Sequence, residues 1–113
     1  MAKINLKYIS FYANMLENRN MKTILYTYGY EGFYVYFNLV VYMANNDGFY
    51  SLYDDVLLDD LREKTRSLKV IEIINALLEV GIIQAIYGEN KVIRILYDIT
   101  LYENTLRLIK LHN

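Results

Sequence analysis

At 113 residues and 55% apolar content, the chain is long enough for one domain with its own core, needing no metal or disulfide to hold it together. Twelve Lys and Arg against 13 Asp and Glu leave no global basic field, so contact with a polyanion has to come from a local patch. The absence of cysteine excludes disulfide frameworks, thiolate zinc sites and thiol nucleophiles together.

The opening MAKINLKYISFYANMLENRN lacks an apolar core followed by small residues, so no signal peptide is read there. The longest uncharged run, residues 32–46, is 15 residues long and carries three asparagines, short of the roughly 20 needed to cross a bilayer. A cytoplasmic protein with no membrane contact is expected. Proline is absent, so boundaries are read from glycine, asparagine and aspartate. Asn18 to Asn20 reads as a turn, and MKTILYTYG, residues 21–29, as a short helix that stops at Gly29.

The stretch YEGFYVYFNLVVYMAN, residues 30–45, is rich in strand-favouring valine, tyrosine and phenylalanine. Its length argues for a helix, with the NNDG turn and Gly48 beyond it. Glu31, Asn38 and Asn45 recur every seven residues, one narrow polar line on an otherwise apolar helix, which predicts burial on most sides. The aromatic cluster is therefore read as core, with some of the 13 tyrosines reaching the surface, where their hydroxyls find water or partners.

FYSLY, residues 49–53, alternates as a short strand. DDVLLDDLREKT is a helix starting near Asp54, with Asp54 and Asp55 suited to its N-terminus. Ser67 is placed to cap the next helix, LKVIEIINALLEV, which ends at Gly81 and puts Val70, Ile74, Leu77 and Leu78 on one face. IIQAIYGENKVIRIL holds two β-branched runs joined by YGEN, a hairpin signal. YDITLYENTLRLIKLHN is a last amphipathic helix. The order helix, helix, strand, helix, helix, hairpin, helix predicts a mainly α chain with a small β-hairpin: one winged helix-turn-helix domain over residues 1–113, with the hairpin as wing and SLKVIEIINALLEVG in the recognition position.

YGYEGFYVYFNLVVYMANNDGFY followed by VIEIINALLEVGIIQ resembles the N-terminal winged-helix domain of phage replisome-organiser and DnaD-like replication proteins. Gly29, Glu31 and Gly32 fill its Tyr-Gly-x-Glu-Gly element, and Val35, Tyr36 and Leu39 its Val-Tyr-x-x-Leu helix. Gly48, Phe49 and Tyr50 fill the strand, and Ile73, Ile74, Leu77, Leu78, Gly81 and Ile82 the last helix end. The resemblance spans roughly residues 8 to 97. It implies a role in starting DNA replication through self-association and loading of other replication proteins. The chain departs from that pattern in two ways. It ends at Asn113, before the second domain such proteins typically carry, and Lys69 in the recognition region is offset by Glu72 and Glu79. A fragment, or a winged helix put to another use, is the expectation.

For DNA, the local cations are Arg62, Lys64, Arg66 and Lys69 in REKTRSLK, at and before a helix N-terminus that favours phosphate, with Lys91 and Arg94 on the wing. About five phosphate contacts would give a slope of log K on log salt near −4.5. The alternative for these side chains is ordinary solvated pairing with nearby acids. Asp47, Asp54, Asp55, Asp59 and Asp60 oppose DNA on their side and suit helix capping, a basic partner or the cations of a second copy. They form no recognised metal cage, and no metal or cofactor is expected. The one histidine, His112, is penultimate, and YGEN cradles no phosphate, so no catalytic arrangement is read. Tyr102, Leu106 and Ile109 in the last helix suit either packing on the domain or a homodimer or higher-oligomer seam.

Two functional expectations follow. One is a non-enzymatic binding module of phage or mobile-element type, contacting replication proteins and, secondarily, double-stranded or single-stranded DNA. The other is a stand-alone inhibitor or adaptor of a host protein or nucleoprotein, such as a defence nuclease.

Overall fold

In the computed structural model, residues 15–45 and 50–112 are described; the turn at Asp47 and Gly48, and Phe49, lie outside them. A single 3-10 turn, Met15–Glu17, leads into α1 (Arg19–Tyr28). The Asn18 side-chain oxygen accepts from the Asn20 and Met21 N–H groups at 2.9 and 3.2 Å, an N-cap that starts the helix two residues earlier than the sequence suggested. Gly29 ends it, its N–H donating to the Leu25 carbonyl at 2.8 Å. With φ 67° and ψ −156° and open space around it, Gly29 is required by backbone conformation and not by crowding.

That corner lets α2 (Tyr30–Ala44) begin at once. Val35, Tyr36, Leu39, Val40 and Met43 are buried, while Phe33 and Tyr42 pack on the core from its edge. Burial does not extend around most of the helix: Tyr30, Tyr34 and Phe37 are exposed beside the polar line. The aromatic cluster is thus divided between core and surface, because only one side of α2 faces α1, α3 and α4.

Strand β1 (Tyr50–Leu52) precedes α3 (Asp55–Thr65), a turn over residues 66–69, and α4 (Val70–Glu79). The Schellman closure of α4 has Gly81 at φ 81°, with its N–H on the Leu78 carbonyl and that of Ile82 on the Leu77 carbonyl. Val70, Ile73, Ile74 and Leu77 are buried. Strands β2 (Gln84–Tyr87) and β3 (Ile93–Tyr97) form the hairpin, and β1 joins it on the far side of β3, giving an antiparallel sheet of order β1-β3-β2. The hairpin loop is longer than YGEN. Gly88 N–H donates to the Val92 carbonyl at 2.8 Å, and Asn90 and Lys91 between them both have φ 58°. Ser51, Leu96 and Ala85 line up across the strands toward the core, and Leu52, Ile95 and Ile86 lie on the other face.

The last helix, α5 (Ile99–His112), is anchored at its head. Asp98, 2% exposed, accepts a 2.7 Å hydrogen bond from the Tyr36 hydroxyl. Tyr102 packs against the core, Leu106 is half-buried, and the side chain of Ile109 lies outside the described residues. The architecture is a winged helix-turn-helix, mainly helical with a three-stranded antiparallel sheet. Among the described residues no helix is long and apolar enough to cross a membrane.

Candidate nucleic-acid and partner interface

The turn between α3 and α4 is built by local polar chemistry. Arg66, at φ 56°, ends α3 with its N–H on the Arg62 carbonyl at 2.8 Å. Thr65 Oγ1 donates to the Leu61 carbonyl at 2.6 Å and accepts from the Ser67 N–H at 3.2 Å. Ser67 is buried. Its hydroxyl donates to Glu31 Oε1 at 2.6 Å and accepts from the Lys69 N–H at 3.0 Å. Ser67 is therefore not the N-cap expected from the sequence: Lys69 holds that position and makes no side-chain cap. The serine lies two positions too early and bonds the amide two residues on, as serine turns do. Glu31, at the start of α2, thus ties the Tyr-Gly-x-Glu-Gly segment to the turn that presents Arg66, Leu68 and Lys69, all exposed.

The six cations fall into three groups. Arg62 pairs with Asp59 and Lys64 with Asp60, each at 3.2 Å along α3; exposed pairs of this kind contribute at most about 1 kcal/mol. Asp60 Oδ2, itself buried, meets the Lys64 ammonium without a well-directed hydrogen bond. Arg66 and Lys69 flank the turn. Lys91 and Arg94 belong to the wing, where the Arg94 stem lies over Gly88 so closely that a Cβ there would come within 2.7 Å of it. Between Arg66 and Lys69 at one end and Gly81 at the other, α4 carries no cation. Its exposed residues are Ile71, Glu72, Asn75 and Glu79. Burial, followed by the carboxylates of Glu72 and Glu79, pushes the Tyr28 hydroxyl pKa up.

A shallow cleft beside the head of α3 is lined by Leu52, Tyr53, Asp54, Val92, Ile93, Arg94 and Ile95. The Tyr53 hydroxyl is pushed up by burial and pulled partly back by the charge of Arg62. Asp54 is exposed and caps α3, its Oδ1 accepting from the Leu57 N–H at 2.9 Å. Asp54→Ala should therefore lower stability by about 1 kcal/mol, read as a shifted urea midpoint. Asp55 and Asp59 are exposed. Among the described residues no group of three His, Asp or Glu could hold a metal ion.

Surface tyrosines were expected without their positions, and an exposed leucine at the turn was not expected. Tyr30, Tyr34 and Phe37 recur with helical spacing on α2 and are exposed, and that spacing was the available signal; Tyr26, on α1 before the Gly29 corner, is 93% exposed as well. Leu68 is 99% exposed, and nothing in the local sequence separates it from the core leucines around it.

No curated protein and no solved structure matches the chain. The sequence pattern of the family described as Lin1244/Lin1753-like, N-terminal, matches residues 8–94, from before α1 through the first two residues of β3. The chain therefore belongs to the Lin1244/Lin1753-like family and carries its N-terminal domain.

Proposed function

We propose that this domain is a non-enzymatic, cytoplasmic binding module of phage or mobile-element type that serves DNA replication initiation, as the DnaD-like domains it resembles do. Its work is self-association and contact with replication proteins, with DNA contact secondary. The observation that carries this reading is the outward face of α4. A helix that docks on DNA neutralises phosphate with Lys and Arg, whereas this one presents Ile71, Glu72, Asn75 and Glu79, with the cations confined to the preceding turn and the wing. Protein contact suits that surface better than base reading.

With Arg62 and Lys64 already paired, Arg66, Lys69, Lys91 and Arg94 remain for phosphate, and four contacts correspond to a salt slope near about −3.6. Titrating fluorescent duplex and single-stranded DNA at about 50 and 200 mM salt tests this directly, since multi-phosphate binding falls by orders of magnitude over that range. Arg66→Glu with Lys69→Glu should weaken binding alike for all sequences, because phosphate contacts carry no base information. Unchanged affinity would dismiss the turn as the contact. The exposed acids and Leu68 also favour a second reading, an inhibitor or adaptor of a host protein; wild-type protein that binds no DNA at 50 mM salt would select it.

A further inference from the structure

Helix α3 displays a line of side chains with opposite charges at its two ends. Asp55, Asp59, Arg62 and Arg66 are all exposed and spaced four, three and four residues apart; the first three share one side of α3, and Arg66 follows at its left-handed C-cap. Two acids are followed by two bases, so the line is complementary to itself when reversed. Turned antiparallel about a two-fold axis between residues 60 and 61, Asp55 faces the partner's Arg66, and Asp59 and Arg62, which pair with each other at 3.2 Å within the single chain, exchange that exposed pair for two across the axis. An isologous dimer requires that kind of self-complementarity.

Two further features fit the same axis. Leu68 follows directly after the basic end and is 99% exposed, a knob with no local packing partner to cover it. The cleft lined by Leu52, Tyr53, Val92, Ile93 and Ile95 lies directly before the acidic end, with the α3 cap Asp54 in its wall. Antiparallel docking carries the partner's Leu68 past the head of α3 toward this cleft, and its own Leu68 toward the partner's. Val56, 67% exposed, flanks the charged line. A helix of 11 residues is only about 16 Å long, so a charged line alone falls short of the about 800 Å² per partner of a stable dimer. Knob and cleft enlarge it.

We propose that the outer face of α3, with Leu68 and the cleft beside Asp54, is a self-association surface whose occupant is a second copy of this chain in antiparallel, two-fold register. This rests on the self-association in the reading above and names its surface. The test is sedimentation of the protein from about 1 μM to 1 mM, the range of weak pairs, at low and high salt. The wild type should dimerise, and less so in salt. Asp59→Arg and Arg62→Asp should each raise Kd about tenfold or more, since each places two like-charge contacts in the symmetric dimer. Combining both in one chain should restore dimerisation, and so should mixing the two single variants, because each combination again opposes unlike charges. Leu68→Ser should weaken association without touching the charges. Circular dichroism checks that each variant folds. A wild type that stays monomeric throughout would overturn both this surface and the self-association reading. A wild-type dimer indifferent to the single swaps, or swaps that neither combination rescues, would overturn the surface and leave self-association standing.

Discussion

Gly32→Ala should destabilise the domain by about 1–3 kcal/mol, the usual effect of forcing extra volume into packed structure. Gly32 is buried in the first turn of α2, and a Cβ there would lie 2.6 Å from Ile24 Cγ2 and 3.1 Å from Tyr28 Cβ. Neither atom is the free end of a flexible side chain, so α1 has to move away from α2. The sign is informative: at an open helical position glycine to alanine stabilises by about 1 kcal/mol, and only the contact with α1 reverses it. Urea denaturation checks this through a lower midpoint at unchanged slope. Ile24→Ala removes the offending methyl, so the double variant should lose less than the two single losses combined. An alanine variant as stable as the wild type would show that α1 and α2 are not held this close.

Tyr36→Phe should remove about 1.5–3 kcal/mol, the range for a hydrogen bond to a charged group. The Tyr36 hydroxyl lies 2.7 Å from Asp98 Oδ2, with both residues almost wholly buried, and the bond joins the middle of α2 to the head of α5. Burial, then the charge of Asp98 and the hydrogen bond to it, raise the Tyr36 pKa far above its ordinary value of 10.0. The folded phenol therefore keeps its proton where the unfolded one releases it. Its contribution is fully present below pH 10 and is lost above it, at about 1.4 kcal/mol per pH unit. Tyr28 and Tyr53 are shifted in the same direction, so the phenylalanine variant should show a shallower alkaline loss, not a flat one. A slope equal to that of the wild type would sink the assignment.

Much of the architecture was legible because its signals are local. Gly29 and Gly81 mark helix ends by the left-handed backbone they adopt, Asp54 caps by its own carboxylate, and β-branched runs flank the wing. The identity of the element in the recognition position was also legible. Its surface chemistry was only partly so: the sequence grouped Arg62, Lys64, Arg66 and Lys69 around one turn, with Lys91 and Arg94 on the wing, and the fold divides the four, pairing Arg62 and Lys64 within α3 and leaving two at the turn. Pairing with nearby acids was one of the two outcomes open in the sequence; which cations pair depends on which residues share a helix face, as Arg62 with Asp59 and Lys64 with Asp60 do.

By itself, then, the sequence determined the order and type of the elements, the apolar face of α4 and the absence of cysteine chemistry, since periodicity and capping act within a few residues. Only the tertiary structure decided that Glu31 holds Ser67 across 36 positions and that Tyr36 meets Asp98 across 62. It alone decided that Gly32 is needed by Ile24, and that Tyr30, Tyr34, Phe37 and Leu68 face outward. Those outcomes depend on which helix packs where, a property of the assembled core, in which side chains distant along the chain compete for the same buried space.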